Sequence, residues 1–528
     1  MHWLKSTPRL GFACLLACSG SLALAQGQWL GGGNDVRNTR SSKDTIININ
    51  NASTLKTKWV FNTSGDVTAT PTVSAGSVYA VDFDGFLYSV NATTGVSNWT
   101  RSIASYTGNP GGSFSRTSPV VSGNNLICAD QGDFNPLGAY TGFFPDSLFG
   151  DSTNKTASVF AVNKQTGNLV WRTVVDEQPW SMITSTPVVY NGVVYVGSCS
   201  FEEAAGLLGP WFVETYRGSV IALDANTGQI LWRTYTVPTG YAGGAVWGST
   251  PAVDADRGLL YVATGNNYRV PADVEQAIAN DPAHGDSYLP ANDYIDSVVA
   301  MNLNTGAIVW GKRLQGADTW NIARSSNAVD PGRGPDYDFG SGPNLYSVNK
   351  GSGVDRVGAG QKSGAYWSLK PDSGTVMWKT QVAPGGTTGG IQWGSATDGK
   401  MIYCGVTNSL NTPFKIKNTT YTCGTWAALS ATDGSIKWQI PDPQGAKPYG
   451  MVTISNGVMF AGSTSGHMYA FDASSGRILW SFQSGGSTIC GPSVVDGVVY
   501  WGSGYGRFFN AFGTGNNKLY AFDLPTTP

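Results

Sequence analysis

Three short segments concentrate oxygen ligands and aromatic residues. They are GSCSFEE (Gly197 to Glu203), which directly follows the apolar run VVYV, YVATGNNY (Tyr261 to Tyr268) and GPDYDFG (Gly334 to Gly340). Carboxylate and amide oxygens drawn from three separate stretches of chain suit a hard cation such as calcium, which takes roughly 6 to 8 oxygen ligands in flexible geometry. The same residue types also cap turns by binding backbone amides, so Glu202, Asn266 and Asp338 fit either role.

Other chemistry is excluded by what the chain lacks. It has three histidines, His2, His284 and His467, so sites built on imidazole ligands are not expected. There is no CxxCH for covalent haem, no CxxC and no GxSxG nucleophile elbow. The glycine run GSGYG at Gly502 to Gly506 has no helix behind it to receive a phosphate and reads as a turn.

The elements that must carry those segments are legible as a repeat. Seven stretches end in tryptophan after a strand, a T/S/D-G turn and a second strand, as in YSVNATTGVSNW at Trp99, IALDANTGQILW at Trp232 and YAFDASSGRILW at Trp480; Trp171, Trp310, Trp378 and Trp438 close the others. An eighth copy is split, with LYAFD (Leu519 to Asp523) near the C-terminus and LKTKW near the N-terminus, ending at Trp59. Pairing the two chain ends within one blade removes the raw sheet edges of a circular array. The expected fold is therefore all-β, an eight-bladed β-propeller closed by its N- and C-terminal strands. Repeats from end to end leave no room for a second domain, so residues 26–528 are expected to form one propeller.

Composition agrees with this. Charged residues make up 13%, aromatic residues 12%, and there are 69 glycines, as a packed β protein with many tight turns requires. A net charge of −2 gives no reason to expect nucleic acid or an anionic membrane as partner. Residues 1–25 combine Lys5 and Arg9, the apolar run LGFACLLA and small residues ending in ALA, which is a secretory signal with cleavage after Ala25. The alternative is a lipoprotein signal, LLAC, with Cys18 lipidated. No later apolar run is long enough to span a bilayer. Export leaves Cys128, Cys199, Cys404, Cys423 and Cys490, an odd set. Cys404 and Cys423, on neighbouring strands of one blade, are the expected pair.

The repeat A-x-D-x-x-T-G-x-x-x-W, the opening QWLGGGNDVRNTR and the segments SRTSPVV, AVWGSTPAVD, DYDFGSGP, QKSGAYWSLKPDSG and WGSGYGRF together resemble the pyrroloquinoline-quinone-dependent alcohol dehydrogenases. The polyvinyl-alcohol-dehydrogenase-like branch is the nearest in pattern. The resemblance covers the whole chain after the signal. It implies oxidation of an alcohol to an aldehyde or ketone, with the quinone and calcium as cofactors and Glu202, Asn266 and Asp338 as the calcium ligands. Asp338 would double as catalytic base, with Asp336 as the competing aspartate. Lanthanide-using relatives carry a further aspartate two positions beyond the base; that position is Gly340 here, which favours calcium.

The same resemblance assigns Trp247 as the stacking floor for the quinone, Arg116 and Thr184 as polar clamps, and Lys362 as the cation beside its reactive oxygens. The family's adjacent cysteine pair is absent, since Cys128 stands alone in that region, and Cys199 falls inside the presumed cation segment. Without haem in the chain, electrons must leave to a separate acceptor such as a cytochrome c or a quinone. The long insertion from Tyr268 to Asp296 is the expected lid or substrate wall. A secreted propeller that only binds proteins or glycans is the alternative function, and it would have no need of these site residues.

Overall fold

The computed structural model describes residues 27–108, 113–132, 157–178, 180–205, 212–248, 250–322, 334–349, 353–506 and 513–525. The expected signal segment, with Cys18, lies outside them. Eight antiparallel sheets, each a four-stranded meander, follow one another round a ring. Blades 1 to 7 have inner strands at Thr72–Ser74, Val120–Ser122, Val188–Tyr190, Ala252–Asp254, Asn344–Tyr346, Ala396–Thr397 and Thr453–Ser455. Blade 8 starts with Ser493–Val495 and Val498–Ser503, continues with Lys518–Asp523 and takes its outer strand, Lys56–Asn62, from the other end of the chain, with Trp59 opposite Ala521. The split repeat is the ring closure.

The recurring tryptophan has a specific task. Each indole Nε1 donates to a carbonyl in the following blade: Trp59 to Ala92, Trp99 to Lys164, Trp171 to Ala225, Trp232 to Leu303, Trp310 to Pro371, Trp378 to Ala431, Trp438 to Ala473 and Trp480 to Leu55. In most of the turns that supply the carbonyl an aspartate or asparagine accepts the next amides, as Asp224 does from Asn226 and Thr227, while Lys370 and Ser430 hold that position in the turns before Trp378 and Trp438. The turn's glycine lies against the indole face, which explains why T-G and W recur together. A Cβ on Gly434, where φ is +72°, would lie 2.5 Å from Trp378 Cε3.

Gly434→Ala is therefore expected to destabilise by about 2–4 kcal/mol, combining left-handed backbone strain with overpacking. Gly192→Ala has a similar φ of +77° and nothing within 4 Å, so it should cost only about 1–2 kcal/mol. Denaturant midpoints compare the two; equal losses would show that the indole contact contributes nothing.

Inner strands of a propeller expose an unpaired edge to the axial channel. Here the N-terminal segment covers that edge. Trp29 exchanges two bonds with Val73, Leu30 O accepts from Val121, Val36 O from Val253, Arg37 O from Leu345, Thr39 O from Thr397 and Arg40 O from Ile454, while Ser42 donates to Val494 O. Residues 29–42 thus pass round the axis and meet the inner strands of seven blades in turn. Arg40 is buried among the carbonyls of Val452 and Gly32 and the hydroxyl of Thr70; burial lowers its guanidinium pKa to about 10.

One expectation fails. Cys404 and Cys423 are both free thiols. Cys404 lies opposite Ala427 in the ladder, and Thr425 is the last paired residue of that strand. Cys423 is four residues short of Ala427, a displacement of about 13 Å at strand rise, well past disulfide reach. Among the described residues no helix is long and apolar enough to cross a membrane.

Candidate functional site

In an antiparallel meander, the connection from strand two to strand three and the connection from strand four to the next blade leave the same end of the sheet. The T-G turns occupy the other end. Every singled-out residue belongs to the first set. Arg116, Thr184, Trp247, Asp336, Asp338 and Trp393 lie between blades, whereas Glu203, Asn266 and Lys362 lie between the second and third strands of blades 3, 4 and 5. Meander topology alone therefore gathers them at one rim.

At the centre is Asp338, whose carboxylate is buried. Its Oδ1 accepts the Asn266 backbone N–H at 2.7 Å, and its Oδ2 accepts Trp247 Nε1 at 2.9 Å and approaches Lys362 Nζ at 2.9 Å. A Cβ on Gly265 would be 2.9 Å from Asp338 Oδ1, so only glycine lets the Asn266 amide come this close. Lys362 Nζ also donates to Asp336 Oδ1 at 2.7 Å and lies 5.1 Å from the Trp247 ring centroid.

Glu203, Asp336 and Asp338 each bring one carboxylate oxygen within 4.8 Å of the others. Glu203 Oε1 is buried without a hydrogen-bond partner. Burial pushes the Glu203 carboxyl up to about 7 against the pull of Lys362, and it pushes Asp336 well above the usual carboxylate range. Burial alone would lower the Lys362 ammonium, but Asp336, Asp338 and Glu203 outweigh it and hold the group charged. Three converging carboxylates with one orphaned oxygen are a donor set that fits a hard cation.

Glu203, and not the Glu202 that the motif puts forward as a cation ligand, joins Asp336 and Asp338. The Glu202 carboxylate accepts the backbone N–H groups of Thr215 and Tyr216, both at 2.7 Å, and the Thr215 hydroxyl. Glu202 therefore performs the capping task, while its neighbour faces Asp336 and Asp338. Asn266 stands beside the cluster through its backbone; its Nδ2 is committed to the carbonyls of Asn267 and Trp320, which leaves Oδ1 as the ligand atom.

The walls are aromatic. Trp247 meets Trp393 edge to face, with centroids 5.3 Å apart, and the Arg116 guanidinium carbon lies 3.7 Å from the Trp393 ring centroid. Thr184 donates to Trp247 O at 2.5 Å and touches Cys199 Sγ at 3.0 Å. Thr184 thus anchors the Trp247 backbone, and Arg116, Thr184 and Trp393 line one axial cavity. A flat, polycarboxylated aromatic fits stacking surfaces flanked by a half-buried guanidinium. Cys199 also contacts Met182 O, and burial raises its thiol to about 11, so it packs as a neutral group. Trp393 escaped the reading of the sequence although QWGS at Gln392 to Ser395 echoes VWGS at Val246 to Ser249. The insertion after Asn266 rises from this rim as a helix, Ala272–Asn280, followed by a 3-10 segment, Pro282–Tyr288, and is held by Val237, Val270, Ile278, Leu289 and Ile295.

Comparison with known proteins agrees with this geometry. Residues 22–205 and 422–526 match the family described as outer membrane protein assembly factor BamB, and residues 172–398 match the glucose/ethanol/alcohol dehydrogenase β-propeller domain. The chain is 30% identical to polyvinylalcohol dehydrogenase of a Pseudomonas species, over 90% of this chain and 73% of that protein. It is also 30% identical to the enzyme of the same name from Sphingopyxis sp. (strain 113P3), over 95% and 77%. In fold it superposes on the quinohemoprotein alcohol dehydrogenase ADHIIG of Pseudomonas putida HK5 with a TM-score of 0.71 at 18% identity, covering 96% of this chain and 81% of that one. The repeat, the ring closed by its own termini, the acidic rim beside Trp247 and the two relatives at 30% identity lead to one assignment: the chain belongs to the pyrroloquinoline-quinone-dependent alcohol dehydrogenases.

Proposed function

We propose that the protein oxidises an alcohol to an aldehyde or ketone at this rim. Trp247 would form the floor for the quinone and Arg116 its carboxylate partner, while Glu203, Asp336, Asp338 and Asn266 Oδ1 would hold calcium. Bound there, the quinone would supply a hydride acceptor for the carbinol carbon and calcium a Lewis acid beside it. Asp338 takes the hydroxyl proton, because its carboxylate is fixed by three donors and stands beside both Trp247 and Lys362. Lys362 balances the carboxylates and presents its ammonium over the indole edge of the site. Trp393, edge to face with Trp247 and under the Arg116 guanidinium, would wall the pocket on one side.

The observation that carries the reading is the Glu203, Asp336 and Asp338 cluster bridged by Lys362 against Trp247. Two relatives bear the name polyvinylalcohol dehydrogenase, which makes secondary alcohols, polymeric ones included, the first substrates to try. No CxxCH occurs in the chain, so a cytochrome c or a quinone would take the electrons. Residues 1–25 would direct export, placing the reaction in the periplasm or outside the cell.

Dye-linked oxidation of primary and secondary alcohols by the protein lacking residues 1–25, with and without added pyrroloquinoline quinone and calcium, tests this. Turnover requiring both is expected. No turnover combined with no quinone-induced rise in Tm would overturn it in favour of a propeller that only binds.

A further inference from the structure

The aspartate that clamps Lys362 is held in an unusual backbone conformation. Asp336 has φ +59°, the left-handed region, which aspartate and asparagine enter more readily than other non-glycine residues. The group that holds it there is Asp318, whose carboxylate is fully buried. Asp318 Oδ1 accepts the Asp336 N–H at 3.1 Å, and Oδ2 accepts the Tyr337 N–H at 2.9 Å. Two consecutive amides converging on one carboxylate form an anion-binding concavity, and the left-handed residue is what makes them converge.

Asp318 also fixes the other side of the site. Its backbone carbonyl accepts the Asn267 N–H at 3.0 Å, next to the Asn266 amide that binds Asp338. The chain before Asp336 is shaped round it: a Cβ on Gly334 would stand 2.0 Å from Asp318 Oδ1 and 2.2 Å from its Cα. One residue therefore ties the segment carrying Asp336 and Asp338 to the segment carrying Asn266.

We infer that Asp318 is a positioning residue for the reaction: by gripping the Asp336 and Tyr337 amides it sets the Asp336 carboxylate against Lys362 and so places the ammonium at the quinone pocket. This rests on the function proposed above but acts on the chain itself. Without the carboxylate, Asp336 relaxes towards an ordinary φ and swings away from Lys362. An asparagine at 318 keeps one acceptor and turns a donor towards the second amide.

The test uses Asp318→Asn and, independently, Gly334→Ala, which displaces Asp318, backbone and side chain together, without changing charge. In the quinone-free protein, acylation of Lys362 by an amine-reactive reagent is followed by mass spectrometry, with exposed Lys415 and Lys437 as internal references. Loss of one charged hydrogen bond should speed Lys362 labelling roughly tenfold in both variants while the references stay constant. An Asp336→Asn background should already show that rate, with Asp318→Asn adding little to it. Unchanged Lys362 labelling in folded variants, with circular dichroism and Tm near the parent's, would overturn the inference. If either variant fails to fold, the other decides. Quinone titration by absorbance runs in parallel: weaker binding by the variants than by the parent is expected, whereas no binding by the parent would sink the proposed function and leave the labelling result to judge Asp318.

Discussion

Asp338→Asn is expected to lower kcat for alcohol oxidation by roughly 10²–10⁴-fold, the usual contribution of a positioned general base. Asparagine keeps the shape of the side chain, and its Oδ1 still accepts the Asn266 N–H. It cannot take the hydroxyl proton, and its Nδ2 turns a donor towards Trp247 Nε1 and Lys362 Nζ, both of which need an acceptor. Quinone binding should weaken far less than turnover, because Trp247, Arg116 and Trp393 remain. Asp336→Asn separates the two aspartates: it removes the partner of Lys362 at 2.7 Å but leaves the proposed base in place, so it should retain the larger share of kcat. Single-turnover kinetics with quinone-loaded protein reads both. Turnover surviving in Asp338→Asn and lost in Asp336→Asn would move the base to Asp336.

Lys362→Met should give the largest loss of stability. Taking the cation from a buried cluster of carboxylates leaves charges uncompensated and costs about 3–5 kcal/mol. The penalty must depend on pH. Burial already raises Asp336 well above the carboxylate range and Glu203 to about 7, and removing Lys362 takes away the group opposing that rise. A carboxyl whose folded-state pKa exceeds its unfolded one supports the fold below the unfolded value, and that support fades as pH rises through the folded value. The metal-free variant should therefore be much nearer the parent at pH 5 than at pH 8. Calcium should raise its Tm more than the parent's, since a bound cation replaces the missing charge. Thermal melts at both pH values, with calcium or a chelator, check this; a pH-independent difference that calcium does not alter would contradict the charge balance.

The fold was legible because its determinants are local and repeated. In seven copies the turn, its glycine and a tryptophan that donates to the next blade sit within a dozen residues, and with the split eighth they announce eight blades. The ring closure could be read too, since the split copy divides between the turn and the outer strand. Nothing in the spacing revealed that residues 29–42 line the axis, because all but the Ser42 hydroxyl contact are backbone bonds to strands far along the chain.

At the site, residue types were legible and orientations were not. Asp338, Lys362 and Trp247 stand together, as their motifs imply. Which of two adjacent glutamates faces the cluster was decided by the single helical turn Glu202–Ala205, where neighbouring side chains diverge by about 100°. Asp318 and Trp393 gave weak signals because their value comes from partners that only folding supplies: two amides held at φ +59° in one case, an indole and a guanidinium from other blades in the other. The separation of Cys404 from Cys423 follows the same logic. Strand order brings them into one blade, and ladder register keeps them apart. The sequence by itself determined the repeat, the ring and the class of chemistry, since those rest on residue type and short-range period. Tertiary structure decided which carboxylates converge and what holds them, because convergence is a property of loops from different blades meeting at one rim.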